Sequence, residues 1–221
     1  MRRQNFRLHL YWILLLFLYS VAFAFRPFIT DDAGTVIPST FELETSADYW
    51  HEKAAFGLCL KHGVTDRMDI GVAFGKCILP EDESGYDPAE LSLKFNFIAD
   101  RLSASFSGSF SDPWYSAMLI YSQPITFFSV HANLGYSAKG ALDEELLTYA
   151  LALVAEVGRF AFGPEFGGTN ESVDWWQVGT QVTITDWFAA DVAIGGDFST
   201  EVDFTAATGL FFAFPRPEKE D

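Results

Sequence analysis

The sequence predicts an all-β fold, a transmembrane antiparallel up-and-down β-barrel of about twelve strands, and three observations carry that prediction. First, apolar and polar residues alternate through most of the chain. In residues 90–110, Leu91, Leu93, Phe95 and Phe97 alternate with Ser92, Lys94 and Asn96, and the beat resumes after Ala99-Asp100-Arg101. Successive strand side chains point to opposite faces, so this stretch is a hairpin with one apolar and one polar face. Second, 49% of the 221 residues are hydrophobic and 23 are Phe, yet after residue 24 no uninterrupted apolar run approaches the ~18 residues of a spanning helix. Third, tight connections (VTDRM, IADR, SQPI, VGR, ITDW) alternate with mostly longer polar ones (LPEDESGYDP, SAKGALDEE, GTNESVD), as short periplasmic turns and outer loops do in outer-membrane barrels.

Taken from the start, residues 1–24 read as a secretory signal. Arg2, Arg3 and Arg7 precede an apolar stretch over residues 10–23, and Ala22-Phe23-Ala24 fits the small-x-small cleavage rule. Residues 25–40, FRPFITDDAGTVIPST, carry Pro27, Gly34 and Pro38 without steady alternation. They read as an irregular periplasmic leader, lying outside the barrel or tucked into its mouth. The barrel is expected over 41–214, with strands at 41–49, 55–61, 70–78, 90–97, 102–110, 115–122, 128–136, 147–156, 160–167, 175–184, 188–198 and 203–214. By propensity LTYALALVAE would also suit a helix; its position between two alternating neighbours, with Tyr149, Leu151, Leu153 and Ala155 at period two, makes it a strand. The turns Thr65-Asp66-Arg67, Ala99-Asp100-Arg101 and Thr185-Asp186-Trp187 form a weak repeat, each with an Asp suited to capping a turn. Residues 215–221 are a polar tail.

Charge narrows the partners. The formal net charge is −16, and loss of the three signal arginines makes it three units more negative. That argues against nucleic acid or anionic lipid as partners, both of which call for basic patches. Assigning faces by alternation puts Glu42, Glu44, Asp48, Glu156, Glu165, Asp191 and Asp197 inside with Lys61, Lys94 and His131. Acidic walls lower the energy of cations in a confined pore and raise that of anions; local pairing of these carboxylates, with no through-pore, is the alternative. Eight glycines, Gly57, Gly71, Gly75, Gly163, Gly167, Gly179, Gly195 and Gly209, share the inward face and relieve curvature in a closing sheet. Tyr49, Trp50, Trp114, Tyr115, Tyr136, Trp175 and Trp176 collect at strand ends on the outer side and Trp187 on the inner, as in an interfacial aromatic belt, although Trp175 and Trp176 cannot both face lipid on a regular strand.

Catalytic and metal chemistry find little support. Ser129, His131 and Asn133 share one face at period-two spacing, which places them too far apart to bond in sequence as nucleophile, base and orienter. His51 and His62 have no ligand-spaced partner, and there is no P-loop, GxGxxG or GxSxG pattern; no cofactor and no metal is expected. Cys59 and Cys77, the only cysteines, share the inward face of one hairpin, which would allow a cross-strand disulfide in an oxidising compartment or two small inward thiols in a packed barrel.

The segments FRPFITDDAGT, GVTDRMDIGVAFG, HANLGYS and ITDWFAADVAIGGDFSTEVDFTAATGLFFAF together resemble the outer-membrane barrel family named for the meta-pathway of phenol degradation. The similarity runs in order across most of 25–214. It implies a twelve-stranded outer-membrane barrel that passes small, often aromatic, compounds, and it offers no catalytic residues to transfer. Barrels usually end on an aromatic that serves as an assembly signal. Here Phe214 is followed by PRPEKED, so the signal is expected internally, at Phe212 and Phe214.

The expected function is a passive channel or transporter for small neutral or cationic solutes, aromatic ones among them, in the outer membrane of a Gram-negative-type bacterium. Its partners would be outer-membrane lipid, the barrel assembly machinery and the solute. The alternatives are a non-conducting structural or surface-interaction barrel and an exported soluble β-sandwich or lipocalin-like binding protein.

Overall fold

A computed structural model of the chain describes residues 28–50, 52–109, 114–139, 144–198 and 204–215. The expected signal segment, its cleavage pattern and the polar tail from 216 onward lie outside the described residues.

The strands are Phe41–Trp50 (β1), Lys53–Thr65 (β2), Met68–Leu79 (β3), Gly85–Tyr86 (β4), Glu90–Ile98 (β5), Leu102–Ser109 (β6), Trp114–Ile125 (β7), Phe128–Lys139 (β8), Glu144–Val157 (β9), Phe160–Thr169 (β10), Val173–Thr185 (β11), Phe188–Asp197 (β12) and Phe204–Phe214 (β13). Strand β4 is a two-residue piece of the acidic loop, folded back on β3 so that Lys76 Nζ sits 5.0 Å over the Tyr86 ring. The other twelve form one antiparallel sheet in which β1 pairs with β2 on one side and β13 on the other. Nine residue pairs, from Phe41↔Phe214 to Tyr49↔Ala206, make that closing seam, and full closure removes every unpaired edge. Residues 147–156 are strand, within β9.

The polarity of this barrel is inverted relative to a soluble protein. Asn96, Ser103, His131, Asn133, Glu165, Gln177, Gln181 and Asp191 are buried, while Leu91, Phe97, Phe106, Val192 and Ile194 are exposed on the opposite face. In the leading hairpin the alternation holds residue by residue, with Phe97 and Phe106 more than half exposed and Asn96 2% exposed. An apolar exterior around a polar interior fits a hydrocarbon surround and excludes a soluble sandwich, whose core lies between its sheets.

The tight turns follow their local chemistry. In two of the three related turns a threonine hydroxyl accepts from a backbone N–H two residues on, Thr65 from Arg67 and Thr185 from Trp187, where the sequence suggested the neighbouring aspartate. Asp100 takes a left-handed φ of 54°, as does Gly158 at 63°, conformations that Asp tolerates and Gly prefers.

The possible disulfide is not formed. Both thiols are free, since Cys59 lies opposite Ala73 and Cys77 opposite Ala55. The shared face was legible from alternation, but the register separates the two by four residues along the hairpin, roughly 13 Å at strand rise.

Candidate functional site: a lumen occupied by the N-terminal segment

Of the two places the sequence left open for residues 25–40, outside the barrel or tucked into its mouth, the described residues 28–40 take the inner one and run on inside the barrel. The segment moves round the inner wall from strand to strand. The Ile29 and Thr30 N–H groups and the Thr30 hydroxyl all donate to the Glu165 carboxylate on β10, at 2.8–3.0 Å. Phe28 packs on Ala152 and Val154 of β9 and Ala161 of β10. Asp31 exchanges two bonds with Asn133 on β8, its N–H donating to Oδ1 (2.6 Å) and its carbonyl accepting from Nδ2 (2.9 Å). The Ala33 N–H donates to Ser122 on β7, and its carbonyl accepts from Asn96 on β5 and Ser103 on β6. Val36 N–H reaches Asp69 on β3 at 3.0 Å, and Pro38 bridges Gly63 on β2.

An irregular backbone inside a barrel needs a partner for each of its polar groups. Here inward Ser, Asn, Asp and Glu side chains supply them. Gly63 makes the closest approach feasible: a Cβ there would lie 2.1 Å from the Ile37 carbonyl oxygen, well inside van der Waals contact.

Charge is organised round the same segment. Lys94 Nζ lies 3.1 Å from Asp31 Oδ1, and Lys61 Nζ 2.8 Å from Glu44 Oε1. Both lumen lysines foreseen from the sequence are thus ion-paired. Burial pushes the Asp32 carboxyl up to about 6, opposed by Lys94, reinforced by Asp31, and opposed again by a hydrogen bond from Gly34 N–H and by Lys61.

Among the other expected lumen residues, Glu44, His131, Glu165 and Asp191 are buried on the inward face. Glu42, Asp48 and Asp197 share that face and are half-buried, whereas Glu156 is exposed at the turn end of β9. Phe214 and Phe212 sit on the outward face at the seam, stacked on Phe41 and Phe188 respectively. Asp31, Asp32, Asp69, Asn96, Ser103, Ser122 and Gln177 were missed. The only sequence signal for the wall members was a polar residue at an inward position, and for the leader there was none.

The Ser129–His131–Asn133 set does not behave as its spacing suggested. Alternate residues on a strand are roughly 7 Å apart, and the imidazole spans much of that: Ser129 Oγ is 2.6 Å from His131 Nε2, while Ser122 Oγ from β7 is 2.8 Å from Nδ1. Asn133 is committed to Asp31. The ring therefore links neighbouring strands beneath the leader, with no carboxylate or amide from this set orienting it. Among the described residues no group of His, Cys, Asp and Glu could hold a metal ion.

The strand-end aromatics are divided between two solvents. Tyr49, Tyr115, Tyr136 and Trp176 are exposed on the outer face, whereas Trp50, Trp114 and Trp175, next along the strand to Tyr49, Tyr115 and Trp176, have the opposite, inward parity. Two of these inward rings border a cavity of about 380 Å³ at the loop end, whose lining includes Phe28, Ile29, Asp48, Trp50, Trp175, Gln177 and Asp197. The leader's first described residues form one side of it and β11–β13 and β1 the other.

No protein-family model matches this chain, and no curated protein is similar to it. Solved structures do share its fold. A KdgM porin superposes with a TM-score of 0.64 at 12% identity, covering 78% of this chain and 99% of the porin. A KdgM porin in complex with disordered oligogalacturonate gives 0.63 at 12%, with coverage of 78% and 99%. A NanC porin gives 0.55 at 7%, with 78% and 98%. At these identities the likeness is one of fold: a closed twelve-stranded antiparallel barrel, the architecture these porins have.

Proposed function

We propose that this chain is an exported outer-membrane channel that passes small neutral or cationic solutes, aromatic ones among them, through a lumen narrowed by its own N-terminal segment. The observation that carries this is the wall's polarity: a water-compatible interior in which carboxylates outnumber lysines, with Lys61 and Lys94 already paired to Glu44 and Asp31. Such an interior favours cations over anions. An acidic oligosaccharide such as oligogalacturonate, present in one KdgM porin complex, has the wrong charge for it. The resemblance to the phenol meta-pathway barrels supports the aromatic part of the proposal, and Phe212 and Phe214 remain the proposed internal assembly signal.

The test is the reversal potential of the purified protein in a planar bilayer under a salt gradient. Cation preference is expected; anion preference overturns the proposal.

A second function is favoured by one specific observation, the many hydrogen bonds that seat the leader. These suit a closed, non-conducting barrel. Glu165→Ala removes the acceptor of three leader bonds, and hydrogen bonds to a charged group are worth about 1.5–3 kcal/mol each. If the segment is a gate, this variant conducts more often than the native chain; a barrel silent in both forms supports the second function.

A further inference from the structure

The wall side chains that seat the leader meet main-chain groups. Glu165 accepts from the Ile29 and Thr30 N–H groups, Ser122 from the Ala33 N–H and Asp69 from the Val36 N–H. Asn96 and Ser103 donate to the Ala33 carbonyl. Asn133 both accepts from the Asp31 N–H and donates to the Asp31 carbonyl, so its amide meets the leader as one peptide group meets another across a β-ladder. Nearly every residue of any peptide presents the same N–H and C=O groups, and a wall that reads them recognises an extended backbone before it recognises a sequence. Sequence enters at a few places. The Thr30 hydroxyl also donates to Glu165, the Asp31 carboxylate pairs with Lys94, and Phe28 lies on Ala152, Val154 and Ala161. Ala33 is 0% exposed and leaves no room for a larger side chain, whereas Ile29 is 62% exposed. The stretch that is read ends at Val36, and residues 37–39, which connect it to β1, are exposed.

We propose that the leader occupies a binding site for short extended peptides, and that a free peptide binds there once the tethered one is released. The preferred peptide has an aromatic residue, threonine and aspartate at the places of Phe28, Thr30 and Asp31 and a small residue at that of Ala33. A short tether gives the leader an effective concentration on the order of millimolar, so in the intact chain it excludes free peptides of ordinary affinity and the site is masked. This binding activity goes beyond conduction and holds for an open or a closed barrel.

The test uses the full chain, folded in detergent, with a specific protease site inserted between Pro38 and Ser39 and cut only after folding. Heat-modifiable gel migration reports whether the barrel is folded before and after the cut, and an insertion between Ile37 and Pro38 serves if the first variant does not fold. The probe is a fluorescent peptide of the sequence FITDDAGTV, residues 28–36, read by anisotropy, while mass spectrometry follows release of the cut leader or its exchange for the probe. Saturable binding is expected, about tenfold or more tighter to the cut barrel than to the uncut one. A peptide with Ile29→Ser should bind within about threefold of the probe, since that side chain is mostly exposed, and one with Ala33→Leu about tenfold or more weakly, from overpacking. Asn133→Ala in the barrel removes two backbone bonds and should weaken the probe by about tenfold. A leader neither released nor exchanged after cutting, equal binding to cut and uncut barrels, or undiminished binding of the Ala33→Leu peptide or of a scrambled one overturns the assignment.

Discussion

Lys94 Nζ and Asp31 Oδ1 are 3.1 Å apart, and this pair joins the wall of the barrel to the segment within it. Lys94 faces inward from β5, and Asp31 is also tied through its backbone to Asn133 on β8, so one leader residue links two non-adjacent strands. Removing Lys94 leaves a carboxylate in a partly desolvated lumen, which costs more than removing both partners. Lys94→Ala is expected to weaken leader seating by about 1–3 kcal/mol, with Lys94→Ala/Asp31→Asn less damaging than the single change. Amide hydrogen exchange of residues 29–36 in the folded barrel measures it, and equal protection in all three proteins would show that the pair does not anchor the leader.

Acid should seat the leader more firmly. The Asp32 carboxyl, raised to about 6 mainly by burial, binds its proton more tightly in the seated state than in a water-exposed one with the ordinary value of 3.8. The seated state therefore gains stability as pH falls through about 6, is fully favoured below about 4, and loses that gain as pH rises. Channel openings are expected to be rarer at pH 5 than at pH 7, and Asp32→Asn, which resembles the protonated form, should flatten the difference. Openings more frequent in acid would contradict it.

A side chain at position 63 should expel the adjoining stretch of leader. The Gly63 position lies against the Val36 and Ile37 carbonyls, and backbone cannot retreat as a flexible side chain can. Gly63→Val is expected to leave the barrel folded by heat-modifiable migration while exposing residues 36–40 to protease. Protection unchanged from the native protein would mean that the wall bends instead.

The outer face should reject charge. Phe106, 55% exposed on β6 and flanked by Leu93 and Ala117, faces outward in mid-strand. Phe106→Lys is expected to destabilise the barrel by about 2–4 kcal/mol in lipid vesicles, the range for a lysine near the bilayer midplane. Ser105→Lys, one residue along and inward, should cost less. Denaturant titration in vesicles checks both, and equal costs would place both positions in the same medium.

The parts legible from sequence were those fixed by local periodicity. A period of two in residues 90–110 settled which side chains point outward, and repeated along the chain it settled strand number and closure. Register was not legible, because alternation repeats every two residues and any even shift preserves the faces; hence Cys59 and Cys77 were placed on the right face but four residues apart. The leader's place was not legible either. Its contacts are backbone groups of 29–38 meeting Asn96, Ser103, Ser122, Asn133 and Glu165, separated by up to 136 residues, and no local pattern encodes such matches. The strand-end aromatics fell between: clustering was visible, while the division of Trp175 from Trp176 follows only once parity is fixed by β11.

The seam between β1 and β13 also limits how the leader can enter. Strands β2, β3 and β5 to β10, which grip the leader, all precede β13 in the chain, and the leader runs directly into β1. Once the terminal strand docks, nothing can enter sideways. A segment enclosed in this way is therefore either in place before the seam closes or threaded in through an open end of the cylinder.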